Sequence, residues 1–186
     1  MAVAGLDRAA AVRSALRRLV AERGFHGASM SAVAAEAGVA TGTAYTHYGS
    51  KDELVLATYL ESKAELGAAA VAAAGSTRDP EARFREIWLG IHRHLGANRD
   101  HALFLAQVDV SPYRERAHEA AMAREDPLLE QAVTPEIAAL LLPLPLEVLY
   151  EIGLGPAVRL AATGEKLGAP ELDTVALACW RAISRS

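Results

Sequence analysis

The sequence predicts an all-α protein of about nine helices, and three observations carry that prediction. Ala and Leu number 40 and 24 of the 186 residues, whereas Val and Ile together number 18; the first pair are strong helix formers and the second pair favour sheets. Apolar residues recur at helical spacing, and no useful run of strand alternation interrupts them. Capping residues and prolines precede the stripes, and glycines follow them. Apolar residues make up 52% and charged residues 23%, which excludes a disordered chain.

The elements follow in order. Val12, Ala15, Leu16, Leu19 and Val20 fall on one stripe, and Gly24 is placed to end that helix. Ser29 is an N-cap for a short helix with Val33, Ala34 and Ala37 inward, which Gly38 stops. A second short helix runs from about Thr41 to Tyr48. Ser50 and Glu53 form an S-x-x-E capping box that opens a long helix, Lys51 to about Ala74. Asp79-Pro80 restarts a helix with an acid cap and a first-turn proline, and Phe84, Ile87, Trp88, Ile91 and Leu95 form its stripe. Residues 96–100 read as a turn before a helix from about His101 to Val110. Asp126-Pro127 and Thr134-Pro135 repeat the acid-or-hydroxyl-then-proline signature. A helix from about Leu146 to Thr163 is expected to kink near Gly155-Pro156. The last helix carries Leu172, Val175, Ala176, Cys179, Trp180 and Ile183 on one face.

Charge and cysteine content narrow the function. Net charge is −4, but residues 1–55 carry six Lys/Arg and five Asp/Glu, whereas 56–186 carry thirteen and eighteen. The split of +1 and −5 leaves the N-terminal part as the one an anionic polymer would not be repelled by. A single cysteine, Cys179, excludes an internal disulfide and a cysteine metal cluster; on an apolar stripe it reads as a buried, inert thiol. No apolar run is long enough to span a membrane, and a reducing cytoplasmic location is the expectation. No HExxH, nucleophile elbow or phosphate-cradling loop occurs, so an enzyme is not expected. His92 and His94 are two residues apart and point to opposite sides of a helix. No metal site and no cofactor are expected.

Residues 30–49 read short helix, tight turn, short helix, which is helix-turn-helix geometry. The second helix offers Thr41, Thr43, Tyr45, Thr46 and His47 to a groove. Gly42 lets the helix start approach a phosphate closely. Tyr48 reads as a core packer.

This stretch resembles the TetR family of transcriptional regulators. The resemblance rests on the Val12/Leu16/Leu19 stripe, Glu22-Arg23-Gly24-Phe25, Ser29 with Val33-Ala34, Ala37-Gly38-Val39, Thr41-Gly42-Thr43-Ala44-Tyr45 and Tyr48-Gly49-Ser50-Lys51-Asp52-Glu53-Leu54. It implies a DNA-binding domain over 7–67 and an effector-binding and dimerisation domain over 68–186. It further implies a homodimer on palindromic operator half-sites, and most often a repressor released by a small molecule. Ser29, Ser31, Thr41, Gly42, Thr43, Tyr45, Thr46, His47 and Lys51 are the DNA-contact candidates. Arg13 and Arg17 are weighed for phosphate against a plain solvated-face reading of Arg13, Arg17 and Arg18. Three positions depart from the family pattern: Ala40 where a Ser or Thr cap is usual, Ala44 where a larger apolar residue is usual, and Tyr48 where Phe is usual. The recognition segment also lacks Arg, Asn and Gln, the residues that give bidentate base contacts.

The effector site is expected within residues 56–163, with Trp88, His92, Phe104, Gln107, Tyr113 and Tyr150 as candidates against an ordinary-core reading. The last helices are so apolar that a monomer edge there would expose a large patch. Leu149, Ile152, Val158, Leu172, Val175, Ala176, Cys179, Trp180 and Ile183 are therefore expected in a two-fold interface, against a reading as the core of a monomer. The alternative reading is a small-molecule-binding helical protein whose helix-turn-helix has little DNA affinity.

Overall fold

The computed structural model describes residues 2–123 and 131–185, with side chains from residue 8 onward. Eleven helices stand among them: α1 (Ala2–Gly27), α2 (Met30–Glu36), α3 (Thr41–His47), α4 (Lys51–Ala74), α5 (Pro80–Ala97), α6 (Arg99–Asp109), α7 (Arg114–Met122), α8 (Pro135–Leu140), α9 (Leu146–Gly153), α10 (Gly155–Thr163) and α11 (Ala169–Ile183). No strand occurs among the described residues, only an isolated antiparallel bridge between Leu141 and Ser184.

Two elements raise the count above nine. The expected kinked helix over 146–163 is two helices, because Pro156 has no N–H and its ring opposes a continuous turn. Leu154 serves both as C-cap of α9 and N-cap of α10. The polar helix α7 buries Ala117 and little else, so no apolar stripe announces it. Gly24 interrupts α1 with φ 65°, where the sequence reading ended the helix, and three more residues carry the chain on to Gly27. The Asp126-Pro127 signature lies outside the described residues. Thr134-Pro135 does open α8, although Thr134 makes no side-chain cap bond.

The described chain forms two compact units: residues 1–63 with 103–124, and residues 64–102 with 125–186. In the first, α1 packs on α2 and α3, and α2 on α3. Val12, Leu16 and Val20 of α1, Val33 of α2, Ala44 of α3 and Leu54 and Val55 of α4 are buried together as its core.

In the second unit, α5 packs on α10 and α11, and α9 packs on both of those helices. Trp88 and Leu95 are fully buried, and Phe84 meets Trp180 at a ring distance of 5.4 Å. At Gly90 a methyl group would lie 2.3 Å from the Ala73 side chain, so glycine lets α5 approach the end of α4. The buried Arg83 guanidinium donates to the carbonyls of Thr77 (3.1 Å), Gln131 (2.5 Å) and Ala132 (3.3 Å). It thereby ties the loop before α5 to the segment before α8.

The nine residues expected at a two-fold interface are mostly core of this same unit. Leu149, Val158, Ala176, Cys179, Trp180 and Ile183 are buried within the single chain, while Leu172 and Val175 are half-buried. Ile152 is exposed, together with Leu140, Leu144, Leu146 and Val148. The exposed apolar residues therefore lie over 140–152 rather than along the final helix. The stripe expected at the interface is needed first to close the unit's own core.

Candidate nucleic-acid interface

The site is built on local capping. Ser29 is extended, and its Oγ accepts from the Ala32 N–H at 3.2 Å, which starts α2 as an N-cap should. Gly38 turns the chain with φ 67°, a conformation that a β-carbon opposes. Ala40 then stands at the N-cap of α3 with no side-chain bond to offer. The helix nevertheless starts at Thr41.

These turns aim one polar face outward. Ser29, Ser31, Thr41, Gly42, Tyr45 and Thr46 are exposed, Thr43, His47 and Lys51 are half-buried, and Ala44 between them is fully buried. Ala44 is buried on one side of this two-turn helix, Gly42 and Thr46 two residues away lie on the other, and Thr41 and Tyr45 are exposed beside it. Tyr45 keeps half its surface in solvent. A Cβ at Gly42 would meet nothing within 4 Å, so packing inside the chain does not demand glycine there.

Several polar groups are already engaged within the chain. Thr46 Oγ1 donates to the Gly42 carbonyl at 2.9 Å. The hydroxyls of Ser29 and Ser31 lie 3.0 Å apart. The Lys51 ammonium donates to the Phe25 carbonyl, and burial lowers its pKa from the ordinary lysine value. Ser50 Oγ caps α4 by accepting from the Glu53 N–H at 3.2 Å, but the Glu53 carboxylate returns to the Gly49 N–H at 2.9 Å. The box thus closes one residue early and ties the loop after α3 to the start of α4.

Arg13 does not lie on a solvated face, nor does it reach outward. Its guanidinium donates to Tyr48 Oη at 2.5 Å and to Glu61 Oε1 at 2.6 Å. The Glu61 bond is the main cause of its raised pKa. Tyr48 Oη donates onward to the Ala9 carbonyl at 3.2 Å. Burial, outweighing the nearby Arg13, raises the phenol's pKa. Arg18 is paired with Glu36 at 2.9 Å.

The six effector candidates divide between the units. Phe104, Gln107 and Tyr113 belong to the first, where the rings of Phe104 and Tyr113 pack on Phe25 at 6.2 and 4.9 Å. Trp88, His92 and Tyr150 belong to the second. There His92 lies parallel to Trp88 at 5.8 Å, and burial lowers its pKa. His94 turns away from that pair, to His101. Among the described residues, Glu65, His94 and His101 have their ligand atoms close enough to hold a metal. The sequence reading missed that group because its members lie on three helices.

Comparisons with known proteins agree with this geometry. Residues 12–58 match the family described as bacterial regulatory proteins, tetR family, and residues 80–184 match the tetracyclin repressor-like C-terminal domain. An HTH-type transcriptional regulator from Haemophilus influenzae is 29% identical over 190 residues, covering all of both chains. A solved TetR-family transcriptional regulator from Haemophilus influenzae is 27% identical, with TM-score 0.77 over 98% of this chain and 99% of that one. A TetR family transcription regulator from Marinobacter aquaeolei shares the fold, with TM-score 0.79 at 20% identity over the full length of both. Fold and site together define a helix-turn-helix transcriptional regulator. The C-terminal match alone spans more than half of the chain, and the protein belongs to the TetR family. No helix among the described residues is long and apolar enough to cross a membrane.

Proposed function

We propose that the protein is a homodimeric repressor that holds palindromic operator DNA in the cytoplasm and leaves it when a small effector binds residues 68–186. One observation supports it most: the outward surface of α3, where Thr41, Gly42, Tyr45 and Thr46 are exposed while Ala44 is buried. In this reading Thr41, Thr43, Tyr45, Thr46 and His47 meet the major groove, while Ser29, Ser31, Gly42 and Lys51 meet phosphates. Without Arg, Asn or Gln on α3, base reading rests on threonine methyl and hydroxyl groups and on DNA shape. Effector binding shifts the spacing of the two α3 helices and so selects against the operator geometry.

The test is a gel-shift titration with DNA flanking the protein's own gene. A specific complex without effector is expected, and its absence would sink the repressor reading. Lys51→Ala should weaken binding to all sequences alike and lower the salt slope by about 1; a loss confined to one sequence contradicts the phosphate role.

A second reading is a ligand-binding protein with little DNA affinity. It draws on the intrachain bonds of Thr46 and Lys51, which occupy two of the few polar groups on that face. Negligible, salt-independent DNA binding with retained ligand binding would favour it.

A further inference from the structure

Three ligand-type side chains from three helices converge inside the second unit. Glu65 comes from α4, His94 from the end of α5 and His101 from the start of α6. One carboxylate oxygen and one nitrogen from each ring lie within 4.8 Å of one another. His94 Nε2 is 3.3 Å from His101 Nδ1, and His101 Nδ1 is 3.4 Å from Glu65 Oε2. The two rings meet edge-on, at 86°.

Hydrogen bonds from N–H donors run mostly about 2.7–3.2 Å, and both separations lie just beyond the long end of that range. Ligand atoms about 2.0–2.1 Å from a tetrahedral zinc stand about 3.3 Å apart, close to the His94–His101 and His101–Glu65 separations. A cation at the centre would give both imidazoles and the carboxylate one shared positive partner.

We propose that Glu65, His94 and His101 form a binding site for a first-row divalent transition cation, zinc fitting best. Two imidazoles and one carboxylate suit zinc, cobalt, nickel or copper, whereas calcium and magnesium require oxygen ligands. His101 is 1% exposed and supplies a fixed ligand at the base of the site. The Glu65 side chain is 37% exposed, so the site opens to solvent on that side. Three protein ligands leave a fourth position for water. The proposal stands independently of the DNA-binding reading.

The experiment uses the full chain, free of any affinity tag and stripped by a chelator. Titration with Co²⁺, read by its visible d–d absorption, should saturate at one equivalent at micromolar protein, and Zn²⁺ should displace it. His94→Gln and Glu65→Gln lie at the edge of the core and should each weaken uptake by at least about tenfold, with helix content unchanged by circular dichroism. His92→Gln, on the opposite side of α5, should leave uptake unchanged. No stoichiometric cobalt spectrum, or equal uptake by the wild type and both ligand variants, would overturn the site.

Discussion

Arg13, Tyr48 and Glu61 show how much one cluster of side chains can hold in place. The guanidinium joins α1 to the residue that ends α3 and to α4, while the phenol reaches back to Ala9. Where the family carries Phe at this position, Tyr48 adds a hydroxyl with a donor and an acceptor role. Tyr48→Phe should therefore lower stability by about 1–2 kcal/mol, read as a reduced urea midpoint, while operator preference stays the same because Tyr48 is 8% exposed. His92 yields a pH prediction. Burial lowers its pKa in the folded chain, so in mild acid the unfolded chain binds a proton that the folded chain refuses. The stability it supports is complete above the unfolded value, about 6.5, and is lost as pH falls below it. Denaturant titrations at pH 8 and pH 5.5 should show a larger loss for the wild type than for His92→Gln. An equal loss would mean that His92 is not the group responsible.

Local signals in single helices carried most of the legible fold. Ser29, Asp79 and Gly38 were readable because a cap or a left-handed turn is chemistry confined to a few neighbouring residues. Asp79 Oδ2, for instance, accepts from the Ala82 N–H at 2.8 Å. The break at Leu154 was readable as a kink only, since Pro156 marks a disturbance without setting its size. α7 was invisible for want of an apolar stripe. The return bond of Glu53 to Gly49 instead of Ser50 depends on how the loop folds back, which spacing does not encode. Ala40 supplies a prediction at this scale. It already has the extended backbone of an N-cap (φ −66°, ψ 146°) but no oxygen. Ala40→Ser should raise stability by about 0.5–1 kcal/mol, seen as a higher thermal or urea midpoint. An unchanged midpoint would show that the α3 N–H groups are satisfied some other way.

At the scale of the molecule, apolar periodicity reports that a face is covered without saying by what. By spacing Leu149, Val158, Cys179, Trp180 and Ile183 fit a partner-facing stripe, and in the folded chain they fill their own unit. The residues this leaves to the proposed dimer include the half-buried Leu172 and Val175 and the exposed Val148 and Ile152. Ile152→Glu should convert the dimer to monomer in sedimentation velocity and weaken operator binding in step; an intact dimer would move the interface elsewhere. Convergence of Glu65, His94 and His101 was equally illegible, since three helices separated by loops must first pack before their ligand atoms meet. The placement of the aromatic residues has an optical consequence. Both tryptophans, Trp88 and Trp180, are buried in the second unit, whereas Tyr45, Tyr48, Tyr59 and Tyr113 lie in the first, which has no tryptophan. Indole emission is therefore a private channel for the second unit, and the melting of the helix-turn-helix passes unseen in it.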